Sequence, residues 1–139
     1  MQHQMIFVNL PVEDTERSRE FYTALGYTFD ERMCQAGTAL ALEIGPQKYA
    51  MLLDQKFFAD FHSERTAAAD QHEVLLCVSA ESKDEVNGLV DRAIAAGGTD
   101  VRTEEQPFMF GRSYADPDGH IWEVMWMDVA AATKAGAFG

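Results

Sequence analysis

The chain has 139 residues, which suits one domain or two small modules that share a core. Hydrophobic residues make up 47% and charged residues 24%, an ordinary globular composition, and no apolar run approaches the ~20 residues that cross a bilayer. The formal net charge of −12 excludes nucleic acid and anionic membranes as expected partners, because both attract clustered Lys and Arg.

The first half of the chain predicts a strand, a helix and three more strands. The apolar stretch Met5–Pro11 is the opening strand, and Pro11 marks its end because proline cannot donate to a sheet. Asp14 is the expected cap of a helix that ends at Gly26. Alternating or β-favouring residues then predict strands at 27–29, 40–44 and 49–53.

The connector after Asp54 carries three phenylalanines at helical spacing, and they predict a short amphipathic helix: Phe57, Phe58 and Phe61. The N-terminus has no basic or apolar leader, so we expect a cytoplasmic protein. Cys34 and Cys77 are far apart and form no CxxC motif, which predicts reduced, buried thiols.

The second half repeats the order of elements. Val74–Val78 is predicted to be a buried strand, and the capping box from Ser82 to Glu85 begins a helix that ends at Gly97. Further strands are predicted from Val101, over 108–115 and over 121–127, with a type I turn at 116–119.

The order β-α-β-β-β therefore occurs twice. This predicts an α+β protein in which module one (about 4–54), a connector (55–70) and module two (71–128) form a single domain, followed by a flexible tail (129–139). Two such modules could share one curved sheet with helices outside. A ferredoxin-like sandwich is the alternative, but it needs fewer strands.

Three segments resemble motifs of the vicinal oxygen chelate superfamily, which includes glyoxalases, bleomycin resistance proteins and extradiol dioxygenases. They are the V-x-D and S-x-x-F-Y segment at 12–22, Leu-Gly-Tyr at 25–27, and Asp-Pro-Asp-Gly-x-x-x-Glu at 116–123. The resemblance covers nearly the whole chain and implies paired βαβββ modules in a cup-shaped mixed sheet. It leaves function open, because that fold hosts lyases, isomerases, dioxygenases and drug binders.

The resemblance also implies where a divalent metal (Zn, Ni, Mn or Fe) would bind. The family pattern places its four ligands at Phe7, near Met51, at Glu73 and at Glu123. Phe7 and Met51 offer no hard donor, so the set is incomplete. A slip of one residue would bring in His72 instead of Glu73, on the other sheet face.

Glu123 is the most informative polar residue, because a carboxylate between apolar neighbours is costly unless it is paired, protonated or metal-bound. It could be a ligand or general base facing the cup. It could equally be neutralised by Arg112, which a simple two-residue hairpin loop at 117–118 would place directly opposite. The pair would then be structural, or would bind an anion and transfer a proton.

Three functions follow from these residues. The first is a small-molecule binder of the bleomycin-resistance type without metal catalysis, whose cup holds an apolar or aromatic ligand against Phe7, Asn9, Met51, Phe110 and Trp122. The second is a metal-dependent lyase or isomerase of the glyoxalase type. The third is a metal-free enzyme with Glu123 as base and Arg112 on an oxyanion. The resemblance further implies a homodimer.

Overall fold

A computed structural model describes residues 1–138 of the chain. The chain divides into two compact units, Met1–Gln71 and a second unit that begins at His72. Whether the two units make a single domain, and whether they share one curved sheet, stays a prediction. Each unit is described by itself below.

The first unit is a three-stranded mixed sheet with a long helix. Its elements are β1 (Ile6–Val12), α1 (Thr15–Leu25), β2 (Ala39–Gly45), β3 (Lys48–Asp54) and α2 (Gln55–Ala59), with a 3₁₀ turn at Glu31–Met33. The strand order is β1-β3-β2, in which β1 runs parallel and β2 antiparallel to β3.

Helix α1 begins and ends at the residues that the sequence predicts. The backbone N–H groups of Glu16 and Arg17 donate to the Asp14 carboxylate at 3.0 and 3.2 Å. Gly26 ends the helix with a φ of 102°, a left-handed conformation that glycine adopts without strain. The buried face of α1 and the sheet side chains beneath it form the core of this unit: Phe21, Tyr22, Leu25, Leu10, Val12, Leu40, Leu42 and Leu52.

The strand predicted at 27–29 is reduced to a single bridge, in which Phe29 pairs with Leu42. The Glu43 N–H donates to Thr28 and the Asp30 N–H to Ala41, both at 3.0 Å. The pairing stops there because Asp30 caps the 3₁₀ turn that begins at the next residue.

The second unit is a four-stranded mixed sheet with a long helix. Its elements are β4 (Leu76–Ser79), α3 (Lys83–Ala95), β5 (Thr99–Gln106), β6 (Met109–Ala115), β7 (Ile121–Met127) and α4 (Val129–Lys134). The strand order is β4-β7-β6-β5, with β4 parallel to β7 and the remaining pairs antiparallel.

Two sequence predictions for this unit are wrong. The strand expected at Val74–Val78 begins only at Leu76, and it is half exposed rather than buried. The tail expected to be flexible from 129 contains helix α4, because the Asp128 carboxylate accepts from the Ala131 N–H at 2.9 Å and Ala132 is buried. Gly139 lies outside the described residues.

The two units have the same connectivity, which confirms the α+β class and the repeated order of elements. In each, the first strand runs parallel to the last strand, which pairs antiparallel with the strand before it. The bridge at Phe29 occupies the place that β5 has in the second sheet. Within residues 1–138, no helix combines the length and apolar character needed to span a membrane.

Candidate functional site

The alternation of strand β7 separates its side chains between two faces of the second sheet. Trp122 and Val124 are buried on the face that packs against α3, so Glu123 and Met125 lie on the opposite face. We call this opposite face the far face of the sheet, and use the same term for the side of the first sheet turned away from α1.

Four polar side chains form a row across the far face of the second sheet. Cys77 on β4 pairs with Glu123 on β7, Glu123 pairs with Ser113 on β6, and Ser113 pairs with Arg102 on β5. Adjacent strands lie about 4.8 Å apart. A thiol, a carboxylate, a hydroxyl and a guanidinium are therefore neighbours in one line.

A pocket opens on this row. Its empty volume, which includes space open to solvent, is about 310 Å³. Besides the row itself, the pocket is bordered by Glu104, Met109, Gly111, Arg112, Val124 and Met125. It therefore combines charged groups with two flexible methionines, which adapt to the shape of a ligand.

The charges around the pocket are unequally paired. Arg102 forms an ion pair with Glu104 at 3.1 Å, and Glu104 also accepts a hydrogen bond from the Gln106 amide at 2.9 Å. Glu123 is half-buried and makes no hydrogen bond or ion pair with any side chain of residues 1–138. Cys77 is an exposed residue, but the partial desolvation of its thiol, and secondarily the charge of Glu123, raises the pKa of that thiol.

Arg112 does not face Glu123, contrary to the sequence prediction. The hairpin pairs Ala115 with Ile121, so its loop is one residue longer than assumed, and Arg112 lies opposite Val124. Its guanidinium turns to α3, where it donates to Asn87 at 3.1 Å and to Asp91 at 2.8 Å. The arginine therefore joins sheet to helix, and it cannot form the expected couple with Glu123.

The residues mapped as metal ligands do not fit a divalent metal. His72 and Glu73 are exposed and precede β4, so the strand neighbour of Glu123 is Cys77. Phe7 has no donor atom and Met51 only a soft thioether. Residues 1–138 contain no group of three or more His, Cys, Asp or Glu side chains placed to hold a metal ion.

The far face of the first sheet carries an aromatic pair where the resemblance implies a ligand. The Phe7 ring stacks on the Tyr49 ring with centroids 5.2 Å apart and planes 12° from parallel. Asn9 and Met51 pair in register on the same face. The structure therefore places Phe7, Asn9 and Met51 together on one face, as the alternation of β1 and β3 requires.

Phe110 and Trp122 lie elsewhere. Trp122 is fully buried and Phe110 is 9% exposed, and both belong to the face of the second sheet that packs against α3. They are core residues, so their predicted contact with a ligand is wrong. The side chains of β6 and β7 alternate between the two faces of the sheet. The presence of aromatic residues alone therefore does not show which of them belong to the core and which face the other side.

Sequence reasoning missed Cys77, Ser113 and Arg102 as neighbours of Glu123. It also predicted a buried Cys77, whereas the residue is exposed and both cysteines are free. Strand alternation alone could have assigned each residue to a face, but the row depends on the register between four strands. A bulge between Asp100 and Arg102 shifts that register, and no local pattern indicates it.

The comparisons with known proteins agree on the fold. Residues 4–44 match a family model described as bleomycin resistance protein-like N-terminal. No curated protein matches the chain. The hypothetical protein SA1046 from S. aureus has 27% sequence identity and a TM-score of 0.76 over 91% of this chain and 95% of its own.

Two further solved structures carry family names. A glyoxalase-related enzyme from Fulvimarina pelagi has 24% identity and a TM-score of 0.77 over 92% of this chain and 91% of its own. A glyoxalase/bleomycin resistance protein/dioxygenase family enzyme from Burkholderia phytofirmans PsJN has 21% identity and a TM-score of 0.71, covering 87% and 96%. With the repeated βαβββ connectivity, these findings show that the chain has the fold of the glyoxalase/bleomycin resistance protein/dioxygenase structures, and that residues 4–44 are similar to the bleomycin resistance protein-like N-terminal family.

Proposed function

We propose that the chain is a bleomycin-resistance-like protein that binds a small apolar or aromatic molecule on the far face of its first sheet, without a metal. The observation that carries this proposal is the Phe7–Tyr49 stack, in which Phe7 remains 45% exposed. Planar ligands gain from offset stacking on such a ring, beyond the apolar area that they bury.

The neighbours of the stack suit a mixed ligand. Met51 is half-buried and offers a flexible apolar contact, whereas the exposed Asn9 amide can both donate and accept a hydrogen bond. Tyr49 is itself buried, so one face of the Phe7 ring rests against a fixed ring on the neighbouring strand. The face therefore presents an apolar platform with polar groups beside it, the Asn9 amide and, on the other side of Tyr49, the Glu43 carboxylate.

The alternative, a metal-dependent lyase or isomerase that uses Glu73 and Glu123, has less support. Glu73 lies in the exposed segment before β4. Two of the four positions mapped as metal ligands are Phe7 and Met51, which offer no hard donor to a metal. A general base at Glu123 remains compatible with the structure. Its predicted partner Arg112 is bound to α3 instead.

Binding of indole, a neutral planar probe, to metal-stripped protein tests the proposal. We expect chemical shift changes in a ¹⁵N NMR titration that centre on Phe7, Asn9 and Met51. Phe7→Ala removes the stacking surface and should weaken indole binding about threefold to tenfold, whereas Phe7→Tyr should retain it.

Phe61→Ala is the matched control, because Phe61 is also an exposed phenylalanine in contact with a second ring, here edge-on to Phe57, but lies in the connector. It should leave indole affinity unchanged. The proposal is wrong if Phe7→Ala binds indole as tightly as the parent protein, or if binding appears only after zinc or nickel is added back.

The homodimer stays a prediction, which sedimentation velocity of the purified chain would check. Large apolar side chains are exposed at the start of β1 and just before β4, among them Ile6, Val74 and Leu75. Exposed apolar side chains of this size support association with a second copy of the chain.

A further inference from the structure

We propose that His62 is a pH-sensitive switch in the connector: its neutral ring holds the segment 62–66 in a closed turn, and protonation of the ring releases that segment. The ring follows helix α2 and contacts two residues further along the chain. This inference goes beyond the proposed function, because Phe7, Asn9 and Met51 take no part in it.

The His62 ring uses both of its nitrogens. Nδ1 accepts a hydrogen bond from the Glu64 backbone N–H at 3.1 Å, and Nε2 lies 3.3 Å from the Thr66 hydroxyl oxygen. A ring nitrogen that accepts from an N–H carries no proton, so the proton of the neutral ring is on Nε2, which donates to Thr66. The two contacts therefore require one particular tautomer of the neutral imidazole.

The backbone of this segment has little else to hold it. In the described chain, no backbone N–H or carbonyl of residues 63–67 bonds to another backbone group. Residues 63–65 are also exposed, so they bury little surface. The Glu64 N–H donates to His62 Nδ1 instead, and loss of that bond leaves the turn open.

Acid removes the acceptor of that bond. Histidine ordinarily gains its second proton between about pH 5 and pH 8, and the nitrogen open to that proton here is Nδ1. The imidazolium has an N–H on each nitrogen, so Nδ1–H then points at the Glu64 N–H and the hydrogen bond is lost. The Thr66 hydroxyl and the Phe58 ring, whose centroid is 5.3 Å from that of the imidazole, can still contact the protonated ring. The change is therefore confined to the bond that closes the turn.

No neighbouring charge replaces the lost bond. Helix α2 packs on β1, which has no titratable residue, and on β3, whose titratable residues are Lys48, Tyr49 and Asp54. The connector contributes Lys56, Asp60, Glu64, Arg65 and Asp70. Within residues 1–138, none of these side chains forms a hydrogen bond or ion pair with the His62 ring. A carboxylate bound to Nδ1 would hold the protonated ring in place, whereas this arrangement favours release.

The tautomer of His62 is the first test. Long-range ¹H–¹⁵N spectra of the labelled chain at about pH 8 distinguish the protonated ring nitrogen from the bare one. We expect the proton on Nε2. A substantial population with the proton on Nδ1 would overturn the proposal.

Trypsin measures the release itself, because its cleavage site after Arg65 lies inside the segment. His62→Phe keeps a ring beside Phe58 but can neither accept a hydrogen bond nor gain a proton. At about pH 8 it should be cleaved after Arg65 about twofold to tenfold faster than the wild type, as expected for the loss of one hydrogen bond. At about pH 5.5 the two rates should converge.

The ratio of the two cleavage rates cancels the pH dependence of the protease. Equal rates at about pH 8, or the same ratio at both pH values, would overturn the proposal. His3→Phe replaces an exposed histidine outside the connector and should be cleaved after Arg65 like the wild type at both pH values.

His62→Asn is the matched variant that keeps an acceptor but does not titrate. An asparagine side-chain oxygen accepts from the N–H two residues on, which is the spacing from His62 to Glu64. The variant should therefore be cleaved after Arg65 more slowly than His62→Phe at both pH values. Equal cleavage of the two variants at about pH 8 would show that the bond to Glu64 does not close the turn.

Discussion

Arg112 and Glu123 lie on neighbouring strands of the second sheet, but their side chains extend from opposite faces. Arg112 pairs with Val124 and bonds to helix α3, whereas Glu123 pairs with Ser113 and borders the pocket. The arginine is thus a structural residue and the glutamate an uncompensated charge. This separation sets the electrostatics of the candidate site.

Arg112→Gln should lower the free energy of unfolding by about 1–2 kcal/mol, because it breaks hydrogen bonds from a guanidinium that is only 12% exposed. Arg102→Gln, which removes an exposed ion pair, should cost less than about 1 kcal/mol. Urea unfolding of both variants measures the difference. Equal destabilisation would mean that Arg112 does not hold the sheet to α3.

Trp122→Ala should destabilise the fold by about 3–5 kcal/mol, because it removes a fully buried ring from the core beneath α3. Phe7→Ala should cost about 1 kcal/mol or less, since Phe7 is already 45% exposed. Urea titration compares the two. If Trp122→Ala were as mild as Phe7→Ala, the tryptophan would not belong to the core.

Glu123→Gln should raise the rate at which iodoacetamide alkylates Cys77. Burial is the main cause of the raised Cys77 pKa and would persist, but the charge of Glu123 also raises it and would be lost. At about pH 8 the thiolate fraction, and hence the rate, should rise roughly twofold to fivefold. Peptide mapping by mass spectrometry distinguishes Cys77 from Cys34, and an unchanged rate would place Glu123 away from the thiol.

The ion pair between Asp30 and Arg32 should make the first unit sensitive to acid. Hydrogen bonds from the Arg32 guanidinium, at 2.9 and 2.7 Å, hold the pKa of the Asp30 carboxyl below its usual value. Because the folded pKa is the lower one, the stabilisation is complete above about pH 4 and is lost as pH falls through the folded pKa.

Arg32→Gln should therefore reduce the acid-side fall in the free energy of unfolding, measured by urea titration between about pH 2 and pH 5. Arg65→Gln removes the same charge from an exposed residue of the connector and serves as the control. Identical pH profiles for the wild type and Arg32→Gln would show that the pair does not contribute to acid stability.

The local elements could be predicted because their signals are contained in neighbouring residues. Asp14 and Gly26 delimit α1 through hydrogen bonds and backbone geometry that involve only the adjoining turn. The same holds for the Asp116–Gly119 turn, in which the Gly119 N–H donates to the Asp116 carbonyl at 2.9 Å. The errors at 27–29 and at Val74–Val78 concern where strands begin and how long pairing continues.

By itself, the sequence determined the α+β class and the twofold βαβββ order, because these depend on periodicity, caps and short motifs. Only the tertiary structure decided which side chains share a face and a row. A loop one residue longer than assumed moved Arg112 from Glu123 to α3, and it left Cys77 and Ser113 as the neighbours of that carboxylate. The physical reason is that strand side chains alternate with a period of two, so a register set by distant pairing partners decides every contact across the sheet.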